Sequence, residues 1–293
     1  RSYRPTRIPR PPRRRTLQGQ LRLDGHADEP RSRDPREVQR RRTGRRRTSR
    51  QGDLRHPLVV KNAVADCNHV IHLACISNDP SFDLNPNLGK SINYDAFQPL
   101  VKASKEAGVE RFIYASTVYV HSNEGGFYRC SKQASEAYIE EYQKVYGLDY
   151  TILRYGSLYG PRADDTNGLY RVITSALETG IIKYQGDIDA MREYIHVDDA
   201  ARASVDVINE KFKNESIVLT GQEPMRVFDL LKMLAEILNI SESQVEFTDE
   251  RYNSHYIRTP YAYQPKLGRK YIPPTHVDLG QGLLQIIGEI DGK

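Results

Sequence analysis

The stretch Arg111 to Lys132, RFIYASTVYVHSNEGGFYRCSK, constrains the fold more than any other part of this 293-residue chain. Its first seven residues alternate apolar and β-branched side chains as a buried strand does, and Asn123, Gly125 and Gly126 mark a turn after them. A helix is predicted to begin near Phe127. Its periodicity is carried by Tyr128, Ala134, Tyr138 and Tyr142, and Gly147 is its stop signal.

On such a helix Tyr128 and Lys132, four residues apart, lie one above the other on the same face. A free tyrosine titrates near pH ~10 and is a poor base at neutral pH. A cation beside it favours the phenolate, and lowering the pKa by roughly three units takes about 4 kcal/mol, which an ammonium in a partly desolvated cleft largely supplies. Tyr128 is then able to exchange a proton with a substrate hydroxyl while Thr117, at the strand's end, hydrogen-bonds the same oxygen. A Tyr and a Lys at this spacing also arise by chance. What gives the pair weight is its company.

In order, the chain carries a strand ending in Ser116-Thr117, the YxxxK pair, LDYTILRYGSLYGPR and REYIHVDDAA. From about Gln51 to the C-terminus it resembles the extended short-chain dehydrogenase/reductase family, in its branch of nucleotide-sugar epimerases (UDP-glucose 4-epimerase-like) and dehydratases. The resemblance implies an α/β fold, a Rossmann-like doubly wound parallel sheet with a smaller C-terminal substrate domain. It implies NAD, or NADP, as cofactor, a nucleotide sugar (UDP-, dTDP-, GDP- or CDP-linked) as substrate, and a homodimer through two long helices. By the same resemblance Tyr128 is the catalytic acid/base, Lys132 tunes it and binds the nicotinamide ribose, and Thr117 stands for the usual serine or threonine, with Ser116 beside it toward the substrate. The loop between Thr117 and Tyr128 is shorter than the family's. Dehydratases of the family carry an Asp-Glu pair after the catalytic threonine; here Val118 and Tyr119 follow, which puts a C4 epimerase or 4-reductase ahead of a dehydratase.

The remaining expectations follow the chain. Asp53 stands where the family places an aspartate near the adenine amine, and equally where a helix start takes a cap. LVVKNAVADC reads as a short helix and HVIHLAC as an apolar strand of a parallel sheet covered on both faces; Leu73, Ala74 and Cys75 then resemble the small-residue segment along the cofactor. His69 and His72 are expected as core or edge residues, not metal ligands. SNDPSFDLNPN reads as a loop, and INYDAFQPLVKASKEAG as a helix that Pro99 kinks or starts late. Asn93 matches an asparagine that the family keeps there to order the catalytic strand. DYTILRYG is a strand whose carboxyl end faces the cleft, where ligands of open parallel sheets bind, so Tyr155 lines the nicotinamide pocket and Ser157 the substrate. Asn167 and the helix start after it suit a diphosphate. Arg192 contacts the diphosphate by resemblance, or else pairs with Asp198 or Asp199. SIVLTG is a last core strand, Pro224 to Asn239 an amphipathic helix, and Arg258, ahead of Lys266 and Arg269, a further anion contact. The dinucleotide-binding domain is expected over residues 51–160 with parts of 190–222, and the substrate domain over 161–190 and 223–293.

Residues 1–50 differ in kind. They hold 18 Arg, no Lys and 5 acidic residues, whereas the rest of the chain holds 25 basic and 33 acidic residues. With Tyr3 as their one aromatic and no long apolar run, they are expected to be a disordered arm. Nucleic-acid binding through this arm is disfavoured by the lack of interleaved aromatics. No apolar run is long enough for a membrane span or a signal peptide, and Cys67, Cys75 and Cys130 have neither metal nor disulfide spacing, which suits a cytoplasmic setting. The family's first strand, glycine-rich turn and second strand belong in this region, yet Gly19, Gly25, Gly44 and Gly52 are too scattered to make the turn. The reading that follows is that residues 1–50 come from a shifted reading frame, and that the chain as written binds cofactor poorly or is an inactive fragment. Sequencing the coding DNA tests this: an alternative frame should encode a strand and a glycine-rich turn, and its absence refutes the idea.

Overall fold

The computed structural model describes residues 51–77, 82, 84–248 and 256–262. The arm, with the disorder and frame shift expected of it, lies outside the described residues, as do Lys266 and Arg269. The described strands are β1 (His69–His72), β2 (Arg111–Thr117), β3 (Tyr150–Tyr155), β4 (Ser157–Tyr159), β5 (Ile182–Gln185), β6 (Met191–His196), β7 (Glu215–Leu219), β8 (Pro224–Arg226) and β9 (Val245–Thr248). The described helices of five residues or more are α1 (Pro57–Val64), α2 (Pro86–Lys90), α3 (Phe97–Glu106), α4 (Gly126–Tyr146), α5 (Gly168–Thr179), α6 (Val197–Asp206) and α7 (Val227–Leu238), with a π-helical turn at Ser91–Asp95 between α2 and α3.

β1, β2, β3 and β7 form one all-parallel sheet in the order β1-β2-β3-β7. β2 is buried at all seven positions, as an apolar run inside a parallel sheet requires. Successive side chains point to opposite faces. Val70, Phe112, Tyr114 and Ile152 pack with α1, α3 and α4 on one face, through Val60, Phe97, Leu100 and Ile139. Ile71, Ile113, Leu153 and Ile217 meet Val207 and Ile208, at the end of α6, on the other. The expected doubly covered sheet is present. A separate hydrophobic cluster joins α5, β5, α7 and β9 through Ala176, Ile182, Leu231, Leu234 and Val245. Around it, β5 pairs with β9, and β6 lies between β4 and β8.

Local chemistry explains where the elements begin and end. Pro57 opens α1 at a position whose N–H needs no partner. α4 starts after Gly125 (φ 89°) and stops at Gly147 (φ 66°), whose left-handed conformation lets its N–H reach the Gln143 carbonyl at 2.8 Å. Pro99 falls in the first turn of α3, so it marks a late start and no kink within the helix. Two expectations change. Pro86 and Asn87 are helical, because Asn85 caps α2 by accepting from the Leu88 N–H at 3.0 Å. The first three residues of the Pro224 helix are instead strand β8, antiparallel to β6, and the helix begins at Val227.

His72 is 3 % exposed, with its ring 5.8–6.2 Å from those of Phe97, Phe112 and Tyr114. Burial, aided by the Lys132 charge, pushes its pKa down to about 3. The neutral ring is thus the folded form, while the unfolded chain takes up a proton near pH ~6.5. This contribution to stability is full above pH ~6.5 and falls by about 1.4 kcal/mol per pH unit as pH drops toward 3. Urea unfolding at pH 7.5 and 5.0 should show a loss of about 2 kcal/mol that His72→Phe removes; equal pH dependence in both proteins would contradict the assignment.

Candidate active site

The carboxyl ends of β1 and β2 and the first turns of α4 converge on Lys132. Its side chain crosses the Tyr114 ring, 4.9 Å from the centroid, and Nζ donates to the Ala115 carbonyl at 2.7 Å. Cys75, in the segment after β1, lies near the same ammonium. Lys132 is 2 % exposed and Tyr128 6 %. The Tyr128 ring centroid lies 5.8 Å from Nζ, and the Thr117 side chain lies near the phenol. Thr117 Oγ1 also accepts from the Tyr119 N–H at 3.3 Å, which starts a short 3-10 turn, Val118–His121.

The electrostatics depart from the expectation. Burial raises the Tyr128 phenol above its ordinary value, and the pull of Lys132 and of the Thr117 hydrogen bond offsets this only in part. The expected fall of roughly three units assumed a partly solvated cleft; desolvation of a phenolate inside the protein is the larger effect. Burial also works against the Lys132 charge, but the acidic groups around it, Cys75 and then Tyr114 and Tyr128, hold the ammonium above its ordinary value. The phenol is therefore protonated beside a cation, and it takes a proton only after giving up its own.

Asn93 is 2 % exposed and sits in the π-helical turn, a deviation that recurs at functional sites. Its Oδ1 accepts from the Ile76 N–H at 2.8 Å, and its Nδ2 donates to the Ile76 carbonyl at 2.9 Å and to Ser131 Oγ at 3.3 Å. Ser131 Oγ in turn donates to the Tyr128 carbonyl at 2.7 Å. Asn93 therefore fastens the segment after β1 to the helix that carries Tyr128, and its side chain is spent on protein groups.

Other expected residues fall in different places. Ser116 points to α4, where its hydroxyl donates to Glu136, and Glu136 receives Arg154 Nη2 at 2.7 Å; strand alternation sends Thr117, not Ser116, the other way. Tyr155 faces α6 and bonds Ser204 Oγ at 2.6 Å. Asp53 holds Arg55, not a helix cap, and this pairing lowers its carboxyl to about 2. Leu73 is exposed and Ala74 half-buried. Asn167 caps α5 by accepting from the Tyr170 N–H at 3.0 Å while donating to the Leu158 carbonyl at 2.9 Å. Ser157 lies 3.2 Å from the Tyr256 hydroxyl. Arg192 is 6 % exposed and donates to the Tyr256 carbonyl at 3.0 Å with its guanidinium 5.1 Å from that ring; Asp198 and Asp199 bind His196 and Arg202 instead. Arg258 does not join Arg192. It lines a cavity of about 380 Å3 with Met191 and Glu193, on the face of β6 that alternates with Arg192. Among the described residues no group of three or more His, Cys, Asp or Glu side chains suits a metal ion.

Two residues of this region escaped the sequence reading, and a third was read without its contacts. Glu136 was detectable, since it follows Lys132 by one turn on the stripe begun by Tyr128. Tyr119 drew notice only as the absence of an acid. Tyr256 lies in HYIRTPYAYQPKLGRKYIPP, whose several tyrosines the sequence offers for stacking on a base or sugar, while its contact with Arg192 comes from tertiary packing alone.

A model of the NAD dependent epimerase/dehydratase family matches residues 25–220, reaching back into the arm. The chain is similar to a putative UDP-glucose 4-epimerase of Methanocaldococcus jannaschii, 28% identical over 189 residues that span 57% of this chain and 61% of that protein. Four such alignments to curated relatives span between 54% and 69% of the relatives' lengths. Its fold is similar to that of UDP-glucose 4-epimerase from Thermotoga maritima with UDP-glucose, at a TM-score of 0.65 and 25% identity, covering 73% of this chain and 75% of that one. It is similar also to UDP-glucuronic acid 4-epimerase from Bacillus cereus in complex with UDP-glucuronic acid and NAD, at a TM-score of 0.67 and 24% identity, covering 79% and 80%.

The ion pair beneath the site yields a stability prediction. Glu136→Ala leaves the Arg154 charge, 17 % exposed, and the Ser116 hydroxyl without their partner, and should cost about 3 kcal/mol in urea unfolding. The double variant Glu136→Ala/Arg154→Met should recover most of that loss; no recovery would mean that the carboxylate stabilises the fold by another route.

Proposed function

This chain belongs to the NAD dependent epimerase/dehydratase family, and from that premise we propose that it is a nucleotide-sugar epimerase working at C4 of the sugar. The observation that carries the reading is Tyr128, held between the Thr117 hydroxyl and the Lys132 ammonium at the carboxyl end of a parallel sheet. In this reading Tyr128 takes the proton from the 4-hydroxyl and returns it when the alcohol re-forms. Thr117 hydrogen-bonds the same oxygen, so the proton moves along a short path between fixed groups. Lys132 steadies the negative charge that develops on the phenol, and because it is buried its effect is stronger than in water.

NAD, when bound, supplies the hydride acceptor and donor that oxidation and reduction at C4 require. The residues present suit its ribose end. An ammonium has three donors, and among the described residues the Ala115 carbonyl accepts from one, which leaves a donor for a ribose hydroxyl. Exposed Leu73 and half-buried Ala74 adjoin that ammonium through Cys75. Arg192, buried and without a carboxylate partner among the described residues, is the group for the diphosphate, as a planar fork suits phosphate oxygens. Buried Val118 and half-buried Tyr119 supply no carboxylate after Thr117, which favours epimerisation over loss of water. We further infer a homodimer through α3 and α4, with the smaller part of the chain, residues 161–190 and 223–293, given over to the nucleotide. Three free cysteines suit a cytoplasmic setting, and no described helix is long and apolar enough to cross a membrane.

The test uses the purified chain. Denaturation should release about one NAD(H) per chain, and turnover of UDP-, dTDP-, GDP- or CDP-hexoses should fall roughly a thousandfold in Tyr128→Phe while the cofactor is retained. No cofactor and no turnover in the parent chain would assign it to the inactive members of its family.

A further inference from the structure

The cavity that Arg258 lines takes no part in the site proposed above, since Met191 and Glu193 turn toward it from the face of β6 that alternates with Arg192. Glu193 is its deepest charged group. Both edges of β6 are occupied there: Glu193 is paired with Pro224 of β8, and on the other side the segment that follows residue 255 runs beside the strand. The Met191 N–H donates to the Ile257 carbonyl at 2.7 Å and the Glu193 N–H to Thr259 Oγ1 at 3.3 Å.

Glu193 is 8 % exposed, and among the described residues no lysine, arginine or histidine pairs with it. Its polar neighbour is Tyr261, whose phenol is pushed above its ordinary value by burial and then by the Glu193 carboxylate. A phenol has one donor and no charge, so the carboxylate keeps acceptor capacity toward the cavity. Arg258 faces the same space from the exposed side, and among the described residues its guanidinium has no carboxylate partner. Met191, Pro224 and the Tyr261 ring make the rest of the wall apolar, around a volume of about 380 Å3 that suits a small molecule.

We propose that this cavity binds a free α-amino acid with an apolar side chain, its ammonium on Glu193, its carboxylate on Arg258 and its side chain against Met191 and Pro224. A simple cation would satisfy Glu193 but meet Arg258 with its own sign, and a simple anion would do the reverse. A neutral sugar would hydrogen-bond both groups and neutralise neither. A zwitterion brings the right sign to each end: three N–H donors to the buried carboxylate, and a carboxylate that takes the guanidinium as a fork. A carboxylate buried without a cation is costly, so a ligand that carries one inward relieves that cost on binding. The proposal does not depend on the epimerase reading.

Calorimetry on the full chain with leucine, methionine and phenylalanine tests it. At least one should bind near one per chain with a Kd of about 1 mM or tighter. The N-acetyl derivative of the tightest binder lacks the ammonium and its amide lacks the carboxylate, and each should bind at least roughly tenfold more weakly. Glu193→Gln should weaken the amino acid to a similar degree. Arg258→Leu, at an exposed position where folding is not at stake, should do the same. Tyr128→Phe should bind it as the parent does. No binding of the three amino acids, undiminished binding of both derivatives or by Arg258→Leu, or binding of glucose in their place overturns the proposal and leaves the nucleotide-sugar reading intact. Loss of the amino acid in Tyr128→Phe overturns it as well, by placing the ligand in the other site.

Discussion

The contact on which the site depends is the hydrogen bond from Lys132 Nζ to the Ala115 carbonyl. A lysine 2 % exposed keeps its charge only with partners around it, and this one has a strand carbonyl and the faces of two tyrosine rings, with the Cys75 side chain near. The bond ties α4 to the end of β2 at one height. Since Tyr128 is one turn before Lys132, fixing the lysine fixes the phenol, and with it the distance from phenol to Thr117. One turn further along the same stripe, Glu136 binds Ser116 and Arg154 and stops the helix from sliding on the sheet.

A second buried cation organises the other end. Arg192 projects from β6 onto Tyr256, so the short segment after the undescribed residues 249–255 is held by a carbonyl, a ring and a phenol at once. Buried cations surrounded by neutral acceptors are costly unless something anionic joins them, and Lys132 and Arg192 are both placed in this way. Helix α4 and the β4–β6–β8 sheet each supply one cation, and the tyrosines between them span the gap.

Much of this was legible in the sequence where periodicity and chemistry coincide. The buried run of β2, the four-residue spacing of Tyr128 and Lys132, and the glycines at both ends of α4 each state a local geometry that tertiary packing does not overturn. Asn93 and Arg192 were found as residues but not in their contacts: a side-chain amide reaching the Ile76 backbone and a guanidinium resting on Tyr256 depend on where distant segments pass. Ser116 was placed one face away from where it lies, because a strand's alternation is visible in its sequence while the identity of each covering helix is not; Tyr155 shares the face of its register partner Thr117. The start of α7 was overrun by three residues since Pro224–Arg226 take their conformation from β6 across the sheet, a partner more than thirty positions away in the chain.

By itself, then, the sequence determined the α/β class, the strand and helix of the candidate site, and the closeness of its phenol and ammonium, because these follow from hydrogen-bonding periods and from spacing within one or two turns. Tertiary structure alone decided the protonation balance of Tyr128, the separation of Arg258 from Arg192, and the row of rings from Tyr128 through Tyr119 to Tyr256. The reason is that desolvation and packing are properties of the surroundings: how far a phenol lies from water, and which ring rests on which cation, are set by segments that only folding brings together.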